Sequence, residues 1–167
     1  MITYIDKGVG MQKAIHQAGY YLMNKNGVWV SSNDVAVQAI INTYNPLPYE
    51  QQVAITKINA AIQAQLAKIV AGYPGHEVST WPQQVSESVA YTANPASPTP
   101  MLSSIAVASG QPVSAIASNV LSKAAAYAAL SGSLVGMRIT LSATIYAATD
   151  WKTIKALTAA ALISIGV

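Results

Sequence analysis

No Asp, Glu, Lys or Arg occurs in the 35 residues between Glu87 and Lys123, and beyond Lys123 the next charge is Arg138. So long an uncharged run is unusual for a solvated surface, because charged side chains make up roughly a quarter of a typical globular chain and lie mostly outside. Over the whole chain only 9% of residues are charged, against 52% apolar. Phe is absent, so the apolar mass is Ala, Val, Ile and Leu. Such a chain favours close helix packing over a large aromatic core, and its outside should be rich in Ser, Thr, Ala, Gln and Asn. Surfaces of that kind suit contact with another chain. The composition therefore points to a protein that works inside an assembly.

Its 167 residues suffice for one domain with a core, or for a small N-terminal module beside a helical one. The net charge of +3 arises beyond residue 110, where Lys123, Arg138, Lys152 and Lys155 face Asp150 alone. Four cations so dispersed make no basic patch, and no nucleic-acid partner is expected. Without cysteine there is no disulfide framework, Cys-based zinc site or thiol nucleophile, which fits a reducing cytoplasm. The start, Met1-Ile2-Thr3-Tyr4-Ile5-Asp6-Lys7, lacks a basic segment followed by an apolar core, so the chain is expected to stay where it is made. A mean hydropathy of +0.34 raises the question of a membrane. Residues 124–149 are interrupted by Arg138 and many hydroxyl side chains, and the tail 156–167 falls short of the roughly 20 residues a span needs, so a membrane role is not favoured.

No catalytic constellation emerges. The two histidines are His16, on an N-terminal helical segment, and His76 beside Glu77 in a loop. Adjacent residues rarely converge on one substrate, and no third partner is apparent. Gly8-Val9-Gly10 lacks the third glycine and the strand-turn-helix setting of a dinucleotide site. Six acids spread over the chain do not cluster into a metal site. The expectation is a non-enzyme with no cofactor.

Punctuation along the chain predicts a mainly α protein: a helical domain with one long helix over residues 49–167, preceded by a small α+β module over 1–48. In the module, Thr3-Tyr4-Ile5 reads as a short strand and residues 11–18 as a helix. Residues 20–23 and 28–30 read as two strands around Asn24-Lys25-Asn26-Gly27, a strong hairpin signal. Ser32 or Asn33 can cap a helix through Val35, Val37, Ile40 and Ile41, and Asn45-Pro46-Leu47-Pro48 ends it. Ile55, Ile58, Ile62, Leu66 and Ile69 then recur at helical spacing up to Gly72-Tyr73-Pro74. Thr80 and Gln83 stand at capping-box spacing, which predicts a helix start there with Pro82 in its first turn. Thr99-Pro100 begins another helix that closes at Gly110. Residues 112–148 keep near-heptad apolar spacing, and Asp150 caps a last helix through Trp151, Ile154 and Leu157. The state of residues 158–167, which lose their polar face, stays open.

Several of these segments stand in a familiar order: Gly72-Tyr73-Pro74, Ser79-Thr80-Trp81-Pro82-Gln83-Gln84, Thr99-Pro100-Met101-Leu102, Ala108-Ser109-Gly110, then Tyr127, Gly132, Gly136 and Arg138. Over roughly residues 50–157 the order resembles a helical domain of bacteriophage tail proteins, many of them tail-fibre assembly proteins. The leading Gly27-Val28-Trp29-Val30-Ser31-Ser32-Asn33-Asp34 is similar to the start of such proteins. The resemblance implies a role in building or forming the tail, with tail or tail-fibre proteins or further copies of the chain as partners. It places the chain in the virion tail, and in the host cytoplasm during assembly, and carries over no catalytic residue. The chain departs from the family in having Ser, Thr and Ala where charged helix positions are usual, which favours permanent burial in a particle.

Four residues are candidates for interaction. Trp81 can anchor a helix start onto the core or meet a partner. Gly132 and Gly136, one turn apart, would let a second backbone approach closely, within the chain or from another. Arg138, the only arginine, needs a carboxylate if buried, and Glu87 or Asp150 could supply it. Three roles follow: a tail-assembly factor, a permanent structural subunit of tail, baseplate or neck, and, less favoured, a membrane-active phage protein.

Overall fold

Helix punctuation becomes structure in a computed structural model that describes residues 1–166. It is 73% helical and mainly α, with a two-stranded antiparallel hairpin near the start. In chain order the elements are α1 (Val9–Gln17), β1 (Leu22–Lys25), β2 (Val28–Ser31), α2 (Asp34–Thr43), α3 (Leu47–Val70), α4 (Gly75–Ala93), α5 (Pro100–Ser109), α6 (Val113–Ala147) and α7 (Trp151–Ile165).

The hairpin forms where the Asn-Gly pair predicts it. Asn26 and Gly27 have φ of 52° and 84°, the two left-handed residues of a two-residue turn, and Lys25 pairs with Val28 across it. Residues 3–5, by contrast, are not a strand. The side-chain amide of Gln38 takes the place of a neighbouring strand: its Oε1 accepts from the Thr3 amide at 2.7 Å and its Nε2 donates to the Thr3 carbonyl at 3.2 Å. Tyr4 then stacks on Trp29 with ring centroids 3.8 Å apart. Asn33 caps α2, its Oδ1 accepting from the Ala36 amide. The Met1 ammonium lies 3.1 Å from Asp34.

The contacts divide the chain into two compact units, one made of Met1–Ala61 together with the chain from Arg138 onward, the other of Ile62–Met137. Ile2, Met11, Ile15, Leu22, Val37 and Ile41 do form a cluster confined to the N-terminal module. The unit nevertheless continues into α3 and takes in the C-terminal end of the chain: Gln51 Nε2 donates to the carbonyls of Ile145 and Tyr146, and Ile58 and Ile154 are fully buried. These bonds partly satisfy carbonyls that the end of α6 leaves without helical partners. Asp150 caps α7 through the Thr153 amide. The helix runs on to Ile165 and closes on Gly166 in the left-handed conformation, while Val167 lies outside the described residues.

In the second unit, Leu102, Ile116 and Ala117 form the core cluster, with Tyr91, Ile105 and Val113 packed against it. Helix α4 begins at Gly75, a turn and a half before the expected start at Thr80. No capping box forms. The Thr80 hydroxyl donates to the Glu77 carbonyl, and Pro82 stands inside the helix. His76 and Glu77 thus belong to the first turn and not to a loop.

The end of α4 is joined to the start of α5 by Glu87. Thr99 gives α5 no side-chain cap; instead the Glu87 carboxylate accepts from the Leu102 amide at 2.9 Å, the Met101 amide at 3.2 Å and Gln83 Nε2 at 2.8 Å. Burial, the largest influence, pushes this carboxyl up, but the bonds from Gln83, Leu102 and Met101 together outweigh it and hold it below the ordinary glutamate value. An ionised carboxylate at a helix N-terminus also meets the positive end of the helix dipole.

Candidate interaction surface

Helix α6 has 35 residues, on the order of 50 Å at 1.5 Å per residue. Between Ala117 and Ile145 only Leu134 is buried. Residues 125–130 are exposed at every position, among them Tyr127 and Leu130. At 3.6 residues per turn this stretch exceeds one and a half turns, so no side of the helix is covered there. A helix apolar on all sides is ordinarily buried in a core or in lipid. This one is bare over its middle.

Gly132 and Gly136 are both exposed, and a Cβ at either would meet no atom within 4 Å. Each lies two residues from Leu134, hence about 160° around the helix from it, so the glycines point away from the side that Leu134 buries. Of the two contacts expected for this pair, the one within the chain is not made. Val135 beside them is about half exposed.

Trp81 is half-buried on α4, well past the start of the helix, with its ring edge-to-face with Tyr73 at 5.2 Å. Lys123 Nζ approaches the same tyrosine, 3.4 Å from its hydroxyl and 5.6 Å from its ring centre. Trp81 is therefore part of an aromatic and cationic contact, not a clamp on a helix start. Arg138 is half-buried, and neither expected carboxylate is paired with it: Glu87 is held by α5 and Asp150 by Thr153. The structure does not bring Trp81, Arg138 and the glycines into one constellation.

Glu50 was not singled out by its sequence, where an acid near a helix start suggests no more than a favourable dipole. It is 4% exposed, and its Oε1 has no hydrogen-bond partner among the described residues. Its charge, after burial, is a cause of the raised pKa of Tyr44. A cleft of about 230 Å³ opens beside it between one face of α3, with Val53 and Lys57, and one face of α7, with Lys155, Thr158 and Leu162.

The chain matches no family profile, no curated protein and no solved structure.

Proposed function

We propose that this chain is a non-enzymatic assembly or structural protein whose long helix α6 is covered by another polypeptide, and that its setting is a bacteriophage tail. The observation that carries the reading is the bare middle of α6, apolar around its whole circumference and opening on one side to Gly132 and Gly136. Leaving that surface in water forgoes about 25 cal/mol for every Å² of apolar area that a partner would cover. Few fixed charges stand in the way of such a cover. The tail setting comes from the resemblance of residues 50–157 and from that alone.

The role divides between an assembly factor and a permanent virion subunit. Mass spectrometry with copy-number determination on purified particles separates them: a fixed stoichiometric copy number makes it a subunit, and presence only in infected-cell lysate makes it an assembly factor. Presence in neither fraction with any tail protein overturns the tail setting.

A membrane reading has one observation in its favour: α6 is long and apolar enough to cross a bilayer, and only 11% of its most apolar window is buried. Against it, the stretch between Lys123 and Arg138 would cover on the order of 21 Å of a hydrocarbon layer about 30 Å thick. Flotation of the purified chain with liposomes would favour lipid; recovery at the bottom of the gradient would favour a protein cover.

A further inference from the structure

We propose that the outer side of α6 is covered by the same helix of a second copy of this chain, antiparallel to it and centred on Gly132, with Tyr146 of each copy entering a cleft beside Ser118 of the other. The inference rests on the reading that a polypeptide covers α6, and it names that polypeptide. Its starting point is two large side chains that α6 leaves in water, Ile139 at 57% exposure and Tyr146 at 61%.

Both belong to a row. Ser118, Ala125, Gly132, Ile139 and Tyr146 recur at intervals of seven, and all five are exposed. At about 100° per residue they lie between roughly 120° and 200° around α6 from the buried Leu134. Such a row drifts only about 20° per repeat on a straight helix, so a shallow left-handed crossing keeps it against one partner. Size changes along it in one direction, with small residues up to Gly132 and large ones beyond. Two such rows laid parallel and in register would set Tyr146 against Tyr146 at one end and leave Ser118 facing Ser118 across a gap at the other. Turned antiparallel about Gly132, the same rows match. Tyr146 then falls opposite Ser118 and Ile139 opposite Ala125, while the two Gly132 backbones meet at the closest approach. One surface complements itself, as a two-fold interface requires.

The tyrosine has a place to go. Ser114, Ser118 and Leu121 of α6 line an open cleft of about 350 Å³ with Tyr91, Thr92 and Pro95, wholly within the second unit. Its apolar walls suit a phenol ring, and the Ser114 and Thr92 hydroxyls suit the polar tip. Charge does not oppose the pairing either. No acid occurs in α6, and its two cations, Lys123 and Arg138, lie within about 40° of Leu134, away from the row. Lys123 is moreover turned to Tyr73. No cation therefore faces its counterpart in the other copy. Paired over residues 118–146, on the order of 40 Å, two faces about 10 Å wide and two inserted tyrosines bury on the order of 1,000 Å² in total, the lower bound for a specific interface.

The chain has no cysteine, so single Cys substitutions in the full chain report the pairing by disulfide formation, which needs Cα atoms within roughly 7 Å. Gly132→Cys should link to itself. Ala125→Cys and Ile139→Cys should each link poorly alone and readily to one another when mixed. Self-linkage of both these chains would mean a parallel pair and overturn the proposal. Sedimentation over a concentration series gives a second readout. Tyr146→Ala, and Ser118→Trp, which fills the cleft, should each raise the dimer dissociation constant at least about tenfold while leaving the helical content unchanged. An unchanged constant in either variant overturns the proposal, as does the absence of any linkage. Radical labelling of Tyr146 in purified particles then tells the failures apart. Protection without linkage means that a different polypeptide covers α6, and labelling as in the free chain means that none does.

Discussion

Glu87→Gln would preserve shape while removing the charge that holds α4 to α5. A Gln amide presents one acceptor oxygen where the carboxylate uses two, so an amide at the start of α5 or that of Gln83 is left unmatched. A loss of about 1–3 kcal/mol is expected, read from denaturant unfolding. The wild-type bonds also have a pH signature. Because the folded carboxyl titrates below its ordinary value of 4.5, its contribution is present above that value and is lost as pH falls through the depressed folded one. The stability difference between wild type and Glu87→Gln should therefore shrink on acidification below about pH 4.5, and a constant difference would refute the assignment. Two glycines make a second comparison. Gly27→Ala meets no atom and should cost on the order of 1 kcal/mol for left-handed backbone alone, whereas Gly8, at φ 80° and ψ −179°, holds a backbone that essentially only glycine adopts and lies against Glu50 Oε1 besides, so Gly8→Ala should cost more. Thermal melts of the two variants, ranked in that order, check it.

Among the elements, α6 gives the sharpest contrast between stability and association. Glycine inside a helix costs about 1 kcal/mol relative to alanine, and nothing in the chain packs against Gly132 or Gly136. Gly132→Ala with Gly136→Ala should therefore raise the melting temperature of the isolated chain. With open space at Gly136, the isolated chain should tolerate Gly136→Leu, and only assembly should fail. Loss of folding in Gly136→Leu would contradict the structure, and intact particle incorporation would contradict the interface. Most elements were legible because their signals are local: Asn-Gly at the hairpin, Asn33 and Asp150 as caps, Gly110 at the end of α5. Thr80 misled because a hydroxyl at capping-box spacing can equally donate backwards to its own helix, as it does to Glu77. Residues 3–5 misled because a distant side chain, Gln38, supplies what a strand would have supplied. The Glu50 cleft left no trace in sequence at all, since it depends on α7 returning beside α3.

For the molecule as a whole, sparse charge gives little long-range repulsion between copies, and small polar side chains lose little entropy when covered. Self-association of the purified chain, or retention of a tail protein on pull-down, is expected, and sedimentation over a concentration series measures the first. A monodisperse monomer at high concentration that also retains no partner would count against an assembly role. The discontinuous first unit has a further consequence, in the order of synthesis. On a ribosome adding roughly 5–20 residues per second, the α3 segment of that unit emerges and then waits for the whole of Ile62–Met137, about 4–15 s, before the stretch that returns to it exists. The intervening unit is contiguous and can close first, so the nascent chain should protect α4 and α5 from protease before α3 around Ile58. A stop codon at Arg138 would leave that early segment permanently waiting, with Ile58 uncovered, and such a truncated product should be cleared by cellular proteases while its middle survives as a resistant core.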